Sequence, residues 1–141
     1  MRLNDTTDLA LRIMIYAASV HPRRFNIDQI VQTYALPRST IMKVVSSLTQ
    51  GALLSAQRGR GGGLYLAREA SEISVGDIIQ HMETDFDLVE CMRTGNRCTI
   101  TESCKLIPPL IAARKAFIET LGRYSVADVA LAPSDFGMDT A

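Results

Sequence analysis

Pro37 falls between two short amphipathic stripes, and that break constrains the fold more than any other feature of the chain. Upstream, Ile27, Ile30, Val31 and Tyr34 lie at helical spacing behind Asn26, a residue suited to cap a helix. Downstream, Ile41, Val44, Val45 and Leu48 form a second stripe that ends at Gly51, where glycine most easily takes a left-handed C-terminal conformation. No helix passes undisturbed through Ala35-Leu36-Pro37, because proline has no N–H to give and restricts the residue before it. Two short helices joined by a tight turn follow. A longer helix precedes them, with Leu9, Ile13, Tyr16, Ala17 and Val20 on one face, Asn4-Asp5-Thr6-Thr7 at its start and Pro22 beyond its end.

The polar side of the third helix carries Arg38, Ser39, Thr40, Lys43, Ser46, Ser47 and Gln50 and no acidic residue. Two short apolar runs, 52–54 and 64–66, then flank Arg58-Gly59-Arg60-Gly61-Gly62-Gly63, the pattern of a β-hairpin with a flexible, basic tip. Helix, turn, helix and basic hairpin together make a winged helix-turn-helix, in a chain expected to be mainly α with a small β-hairpin wing. In such a unit the second helix enters the major groove by its N-terminal end. Arg38, Ser39, Thr40 and Lys43 would then face base edges, while Arg58 and Arg60 would reach phosphate or the adjacent minor groove. A nucleotide-cradling loop is the competing reading of the glycines. It fails on spacing: no Gly-Lys-Ser/Thr ending is present, and the third glycine of the dinucleotide fingerprint would fall on Leu64.

The 141 residues suit one compact domain or two small lobes, and no apolar run approaches the roughly 20 residues that cross a bilayer. The start of the chain lacks a secretory pattern, so a cytoplasmic location is expected. The formal charge is zero, yet residues 1–68 carry nine basic and three acidic side chains, and residues 69–104 carry two and eight. The zero is a cancellation between a basic lobe and an acidic one, which points the first lobe toward a polyanion such as double-stranded DNA.

Beyond the hairpin, Ser74 and Asp77 have capping-box spacing for a helix over 73–83, with Ile73 placed to staple onto Ile78. An acidic stretch, Glu83, Asp85, Asp87 and Glu90, leads to all three cysteines: Cys91, Cys98 and Cys104. Pro108 and Pro109 suit the first turn of a long final helix whose stripe of Leu110, Ala113, Phe117 and Leu121 is widened by Ile111 and Ile118. So broad an apolar face on a small lobe suits pairing with a second copy, and a twofold protein reads a palindromic site. Ser125–Asp128 would cap a last short helix. The expected organisation is a winged helix-turn-helix over 1–70, a linking helix and cysteine loop over 71–106, a dimerisation helix region over 107–131 and a flexible tail over 132–141.

Three thiols on one polar loop do not make a disulfide framework, which would leave one unpaired. Their gaps of six and five residues are too long for zinc knuckles. Sulfide-bridged iron is usually held by four thiolates, so three would leave one iron with a weaker oxygen or nitrogen ligand from elsewhere. An iron–sulfur cluster, zinc, and redox-active or inert thiols all remain open on spacing. A thiol redox enzyme finds no support, since there is neither a Cys-x-x-Cys pair nor a catalytic histidine arrangement. No enzymatic activity is expected.

Four segments together carry a family resemblance: Met1-Arg2-Leu3 with Thr7-Asp8-Leu9-Ala10-Leu11-Arg12, the hairpin Arg58-Gly59-Arg60-Gly61-Gly62-Gly63-Leu64, the helix Ile73-Ser74-Val75-Gly76-Asp77-Ile78-Ile79, and the spaced cysteines. Over roughly residues 1–130 the chain resembles the NsrR-type nitric-oxide-sensing repressors, which belong with IscR and the rhizobial iron regulator RirA in one winged-helix iron–sulfur superfamily. The resemblance implies a homodimeric transcriptional repressor whose cluster, 4Fe–4S in preference to 2Fe–2S, is held by Cys91, Cys98 and Cys104 and releases operator DNA when nitric oxide destroys it. IscR-like chains place a histidine three residues after the third cysteine, where this chain has Ile107. The NsrR type instead matches in Asp8, implied as the fourth ligand and supplied by the partner subunit. The six-residue gap between Cys91 and Cys98 is longer than is usual in that type.

Asp8 also suits the helix dipole at its position. Arg12, one turn on, would pair with Asp8 or offset charge beside the cluster, Asp85 would lie near the cluster, and His81 is an alternative ligand. A regulator that senses iron or cluster status, and a zinc-bound or cluster-free winged-helix regulator, are the remaining functional readings.

Overall fold

The side chain of Asn4 accepts the Thr7 N–H at 2.7 Å and so starts α1 (Asp5–Val20) in the computed structural model, which describes residues 1–138. Capping satisfies an N–H that the first turn leaves without an intrahelical partner. Helix α1 is the centre of the molecule, with Ala10, Ile13 and Met14 wholly buried and Leu9 and Tyr16 nearly so. Helices α2 (Ile27–Tyr34) and α3 (Arg38–Gln50) meet at the turn before Pro37. The first is fixed by a reciprocal capping box between Asn26 and Gln29. Ile41, Val44, Val45 and Leu48 bury the inner face of α3.

The hairpin pairs β1 (Leu54–Gln57) with β2 (Gly63–Leu66) in antiparallel register, Leu54 opposite Leu66 and Gln57 opposite Gly63. Phe25 adds a bridge on the other side of β2, exchanging two backbone hydrogen bonds with Leu64 at 3.1 and 2.7 Å. The wing is therefore stitched to the connection between α1 and α2. Gly63 makes the stitch possible: its φ of 140° is open to glycine alone, and a Cβ there would stand 2.9 Å from the Phe25 carbonyl oxygen.

Helix α4 (Val75–Met82) begins at the capping box of Ser74 and Asp77, as the sequence leads one to expect. After the cysteine loop comes α5 (Ile107–Gly122), 16 residues and hence about 24 Å long. It crosses α4 backbone to backbone. A Cβ on Gly76 would lie 2.9 Å from the Gly122 Cα, so no side chain separates the two helices there. The segment after α5 returns to the core, with Val126 wholly buried and its N–H donating to the Ile73 carbonyl at 2.8 Å.

Two expectations are corrected near the C-terminus. Ser125 and Asp128 exchange hydrogen bonds, but they close a turn and not a helix. The tail expected to be loose is packed as far as Met138: the Leu131 N–H donates to Ser19 Oγ at 2.8 Å, Phe136 meets Tyr16 edge to face at 5.2 Å, and the Tyr16 hydroxyl contacts the Met138 sulfur at 3.7 Å. Isolated apolar anchors among Pro133, Ser134 and Gly137 carry no periodicity, which is why the composition conceals them. Residues 139–141, the end of that expected tail, lie outside the described residues.

Candidate nucleic-acid face and cysteine loop

The outer face of α3 is exposed at Arg38, Ser39, Thr40 and Lys43. Pro37 precedes the helix and offers no side chain to its first N–H groups, so the positive end of the helix is open to an anion. Arg38 is less free than the sequence suggests, because its guanidinium pairs with Asp28 in the first turn of α2. Met42 stands between Thr40 and Lys43 with 51% of its surface exposed. The sequence reading passed over it, although an apolar residue that falls off the 41, 44, 45 and 48 stripe is a visible signal. Such a side chain can meet a thymine methyl in the major groove.

Arg58 and Arg60 are exposed at the tip of the wing, and among the described residues neither forms a salt bridge. The tip is braced. Arg24 reaches across from the α1–α2 connection, donating to the Gln57 side chain and, at 3.1 Å, to the Gly61 carbonyl, with its guanidinium 4.8 Å from the centre of the Tyr65 ring. A guanidinium that stacks while one of its nitrogens donates twice fixes the hairpin more firmly than glycine-rich composition implies.

Cys91, Cys98 and Cys104 are free thiols, each half-buried, on an irregular loop with short 3-10 turns at Glu90–Met92 and Thr101–Ser103. Side chains hold that loop in shape. Asn96 Oδ1 accepts from the Cys98 N–H and the Thr101 hydroxyl, Glu90 accepts from the Arg97 N–H, and Asp85 pairs with Arg93 at 2.9 Å. Arg114 on α5 pairs with Asp87 at 3.3 Å and ties the start of the loop to the long helix. Among the described residues no group of three or more His, Cys, Asp or Glu side chains gathers closely enough to hold a metal ion. The three sulfurs therefore do not converge within one chain, with or without Asp8. Three free thiols still form a donor set whose softness suits iron–sulfur or other thiophilic metal centres.

Asp8 pairs with Arg12 at 2.6 Å, one turn along α1, and both side chains are about half exposed. The Arg12 backbone carbonyl accepts the Tyr34 hydroxyl at 2.8 Å. Burial pushes the Tyr34 hydroxyl up to about 12, against a smaller opposing pull from the Arg12 charge.

The end of α4 binds two other helices. Glu83 accepts from the Asn4 N–H and side-chain amide, both at 3.0 Å, and from the Thr7 hydroxyl at 2.9 Å. It is thus an anchor for the start of α1 and not part of a solvated acidic loop. His81, two residues earlier, lies against the end of α3 within 2.8 Å of the Ser47 carbonyl oxygen, which leaves its imidazole engaged there. From this doubly tethered turn the chain enters the cysteine loop.

Comparison with known proteins completes the picture. Residues 3–132 match the family model of Rrf2, described as an iron-dependent transcriptional regulator. The HTH-type transcriptional regulator NsrR of Bacillus subtilis (strain 168) is 35% identical over 131 residues, covering 92% of this chain and 90% of that protein. NsrR of Oceanobacillus iheyensis is 37% identical over 131 residues, with 92% and 89% covered. Among solved structures, CymR, the global cysteine regulator of B. subtilis, matches with a TM-score of 0.72 and 27% identity over 92% of this chain and 96% of its own. IscR of T. potens matches in fold with a TM-score of 0.71 at 20% identity, over 91% and 85% of the two chains.

Proposed function

The chain belongs to the Rrf2 family of transcriptional regulators, and from that premise we propose that it is a homodimeric, DNA-binding repressor of the NsrR type whose operator affinity depends on an iron–sulfur cluster sensitive to nitric oxide. A transcriptional regulator is not an enzyme, and the reading contains no catalytic residue. The observation that carries it is the siting of three free, half-buried thiols on one loop rooted in the turn that grips α1.

Cys91, Cys98 and Cys104 would hold the cluster, 4Fe–4S in preference to 2Fe–2S, with the partner subunit's Asp8 as the fourth ligand. No residue of α5 is buried, and Ile111 and Phe117 are exposed at 45% and 37%, an apolar face that a second α5 would cover. Two copies related by a twofold axis would present two α3 helices to successive half-sites of a palindromic operator, about 34 Å apart. Ser39, Thr40 and Lys43, joined by Arg38 when Asp28 releases it, read base edges, while Arg58 and Arg60 hold the backbone or the minor groove.

When bound, the cluster supplies iron that takes up nitric oxide. The carboxylate of Asp8 would be a weaker donor to such iron than the three thiolates, and so the ligand most open to displacement. Arg12 stands one turn away as its ready alternative partner. Without that tie the cysteine loop would no longer link the two subunits, the spacing of the two α3 helices would loosen, and operator affinity would fall because only one arrangement matches the DNA.

Protein purified without oxygen should be coloured, contain iron and sulfide, and shift operator DNA; nitric oxide should abolish the shift. Pale protein with zinc or no metal, and with equal DNA affinity, would overturn the reading. A second reading is favoured by the family's description as iron-dependent: loss of the cluster on iron starvation is itself the signal. Release of DNA by an iron chelator, with retention under nitric oxide, would select it.

A further inference from the structure

His81 is exposed on the outer side of the last turn of α4, yet its ring is not idle. Its Nε2 stands 2.8 Å from the Ser47 carbonyl oxygen and 3.3 Å from the Ser47 hydroxyl. A carbonyl only accepts, so Nε2 carries the proton and donates. The Ser47 carbonyl also accepts the Gly51 N–H at 3.0 Å, the bond that closes the last turn of α3. The imidazole thus takes a second lone pair at the C-terminal end of the recognition helix.

Gly51 explains itself through this ring. The sequence suggests a glycine needed for a left-handed conformation, but Gly51 has φ −79° and ψ 5°, open to any residue, while Ala52 takes the positive φ of 53°. The ring lies over this position: a Cβ on Gly51 would lie 2.6 Å from His81 Cε1 and Nε2 and 2.8 Å from Nδ1, so a side chain here would have to displace the imidazole. A bare residue 51 lets the ring stay on the Ser47 carbonyl.

Neighbouring contacts show what the ring joins. Ile78, Ile79 and Met82 fix α4 in the core, so the backbone that carries His81 is anchored there. Two residues on, Glu83 ends α4, and the cysteine loop follows. At its other end, α3 has no side-chain cap, and its first turns are the part that would meet the bases. A helix of 13 residues is about 20 Å long, so a small tilt at its tethered end displaces the reading end.

We propose that His81 is a positioning residue for DNA recognition, holding the end of α3 to α4 and so passing the state of the cysteine loop to the recognition helix. The proposal rests on the cluster-dependent repressor described above. It differs from simple capping in its consequence. A cap alone would affect loaded and cluster-free protein alike, whereas a link between loop and helix affects the difference between them.

The test compares operator affinity of loaded and cluster-free protein for the wild type and four variants. His81→Ala should shrink the wild-type ratio of the two affinities about tenfold, within the usual span of coupling energies. His81→Gln, which restores an N–H donor of similar reach, should keep most of it. Gly51→Ala should act like His81→Ala by pushing the ring aside, and the double variant Gly51→Ala/His81→Ala should lose no more than His81→Ala alone. Amide exchange at Gly51 in protein without DNA should quicken in His81→Ala, a readout that needs no cluster. An unchanged ratio in folded His81→Ala, with both affinities lowered by one factor, overturns the coupling alone. A wild type that binds equally well in both states overturns the repressor reading, and the coupling with it.

Discussion

Thr7 donates its hydroxyl to Glu83 across 2.9 Å, joining the first turn of α1 to the residue that ends α4, 76 positions further along the chain. Thr7 is wholly buried, and a buried hydroxyl needs a partner. The same carboxylate takes two donors from Asn4, so one side chain satisfies three groups at once. Glu83→Ala should therefore cost about 1–3 kcal/mol of stability by stranding those donors, and Thr7→Val should cost about 1 kcal/mol by removing one bond. Denaturant midpoints of DNA-free protein measure both. Equal midpoints for wild type and Glu83→Ala would mean that water replaces the carboxylate.

The proposed DNA contacts of the α3 face and of the wing tip would contribute to affinity in separable ways. Arg58→Ala should weaken binding to operator and unrelated duplexes by a similar factor and lower the salt slope by about one, the signature of a lost phosphate contact. Met42→Ala should leave the salt slope unchanged and relax preference at one or two base positions. Titrations at several salt concentrations on matched and mismatched duplexes distinguish these outcomes. A change of slope for Met42→Ala would place that residue away from the bases.

Arg24 acts on the wing from behind. Its guanidinium bonds Gln57 and Gly61 and stacks on Tyr65, so Arg24→Ala should release the tip and reduce operator affinity while the fold, held by the Phe25–Leu64 bridge, stays intact. Arg24→Lys should rescue poorly, because an ammonium neither forks nor stacks as a guanidinium does. Hydrogen exchange across residues 57–63 gives the structural readout. Full affinity in Arg24→Lys would reduce the residue to its charge.

The helices of the N-terminal lobe were legible because each carries its own evidence: an apolar stripe of period 3.6, a capping residue and a breaker at Pro22 or Pro37. Arg58 and Arg60 were legible for the same local reason, since basic residues among glycines mark a hairpin tip. Contacts between distant segments were not. Glu83 reads as one more acidic residue in a run of them, and only the fold brings Asn4 and Thr7 to it. Gly51 reads as a helix terminator, and only the fold shows the ring of His81 lying over it. Arg38 reads as a free cation, though Asp28 holds it, because a separation of ten positions and a turn hide the pairing. The docked tail escaped notice because Phe136 and Met138 are single anchors without a pattern.

Asp8 offers two roles with different magnitudes. As a helix-terminal carboxylate paired with Arg12, its replacement by Ala should cost at most about 1 kcal/mol. As the fourth ligand, Asp8→Ala should leave the melting of cluster-free protein nearly unchanged while speeding loss of visible absorbance under air or chelator severalfold. Time courses of absorbance on protein reconstituted without oxygen decide between them. Equal decay rates would return Asp8 to the helix terminus.

Tyr34 gives the fold a dependence on alkaline pH. Its hydroxyl donates to the Arg12 carbonyl at 2.8 Å, and burial raises its pKa from 10.0 to about 12. Between those values an unfolded tyrosine gives up its proton and the folded one keeps it, so the folded state binds more protons and stability falls as pH rises. The stabilisation is complete below pH 10 and is lost through pH 12. Tyr34→Phe should flatten that decline, which separates Tyr34 from Tyr16, whose hydroxyl burial also raises. The Arg12 charge opposes the shift, so Arg12→Ala should move the Tyr34 titration further upward even though the backbone acceptor remains. Ultraviolet titration of phenolate in wild type and the two variants measures each step. A downward movement in Arg12→Ala would show that the arginine stem, by burying Tyr34, outweighs its charge.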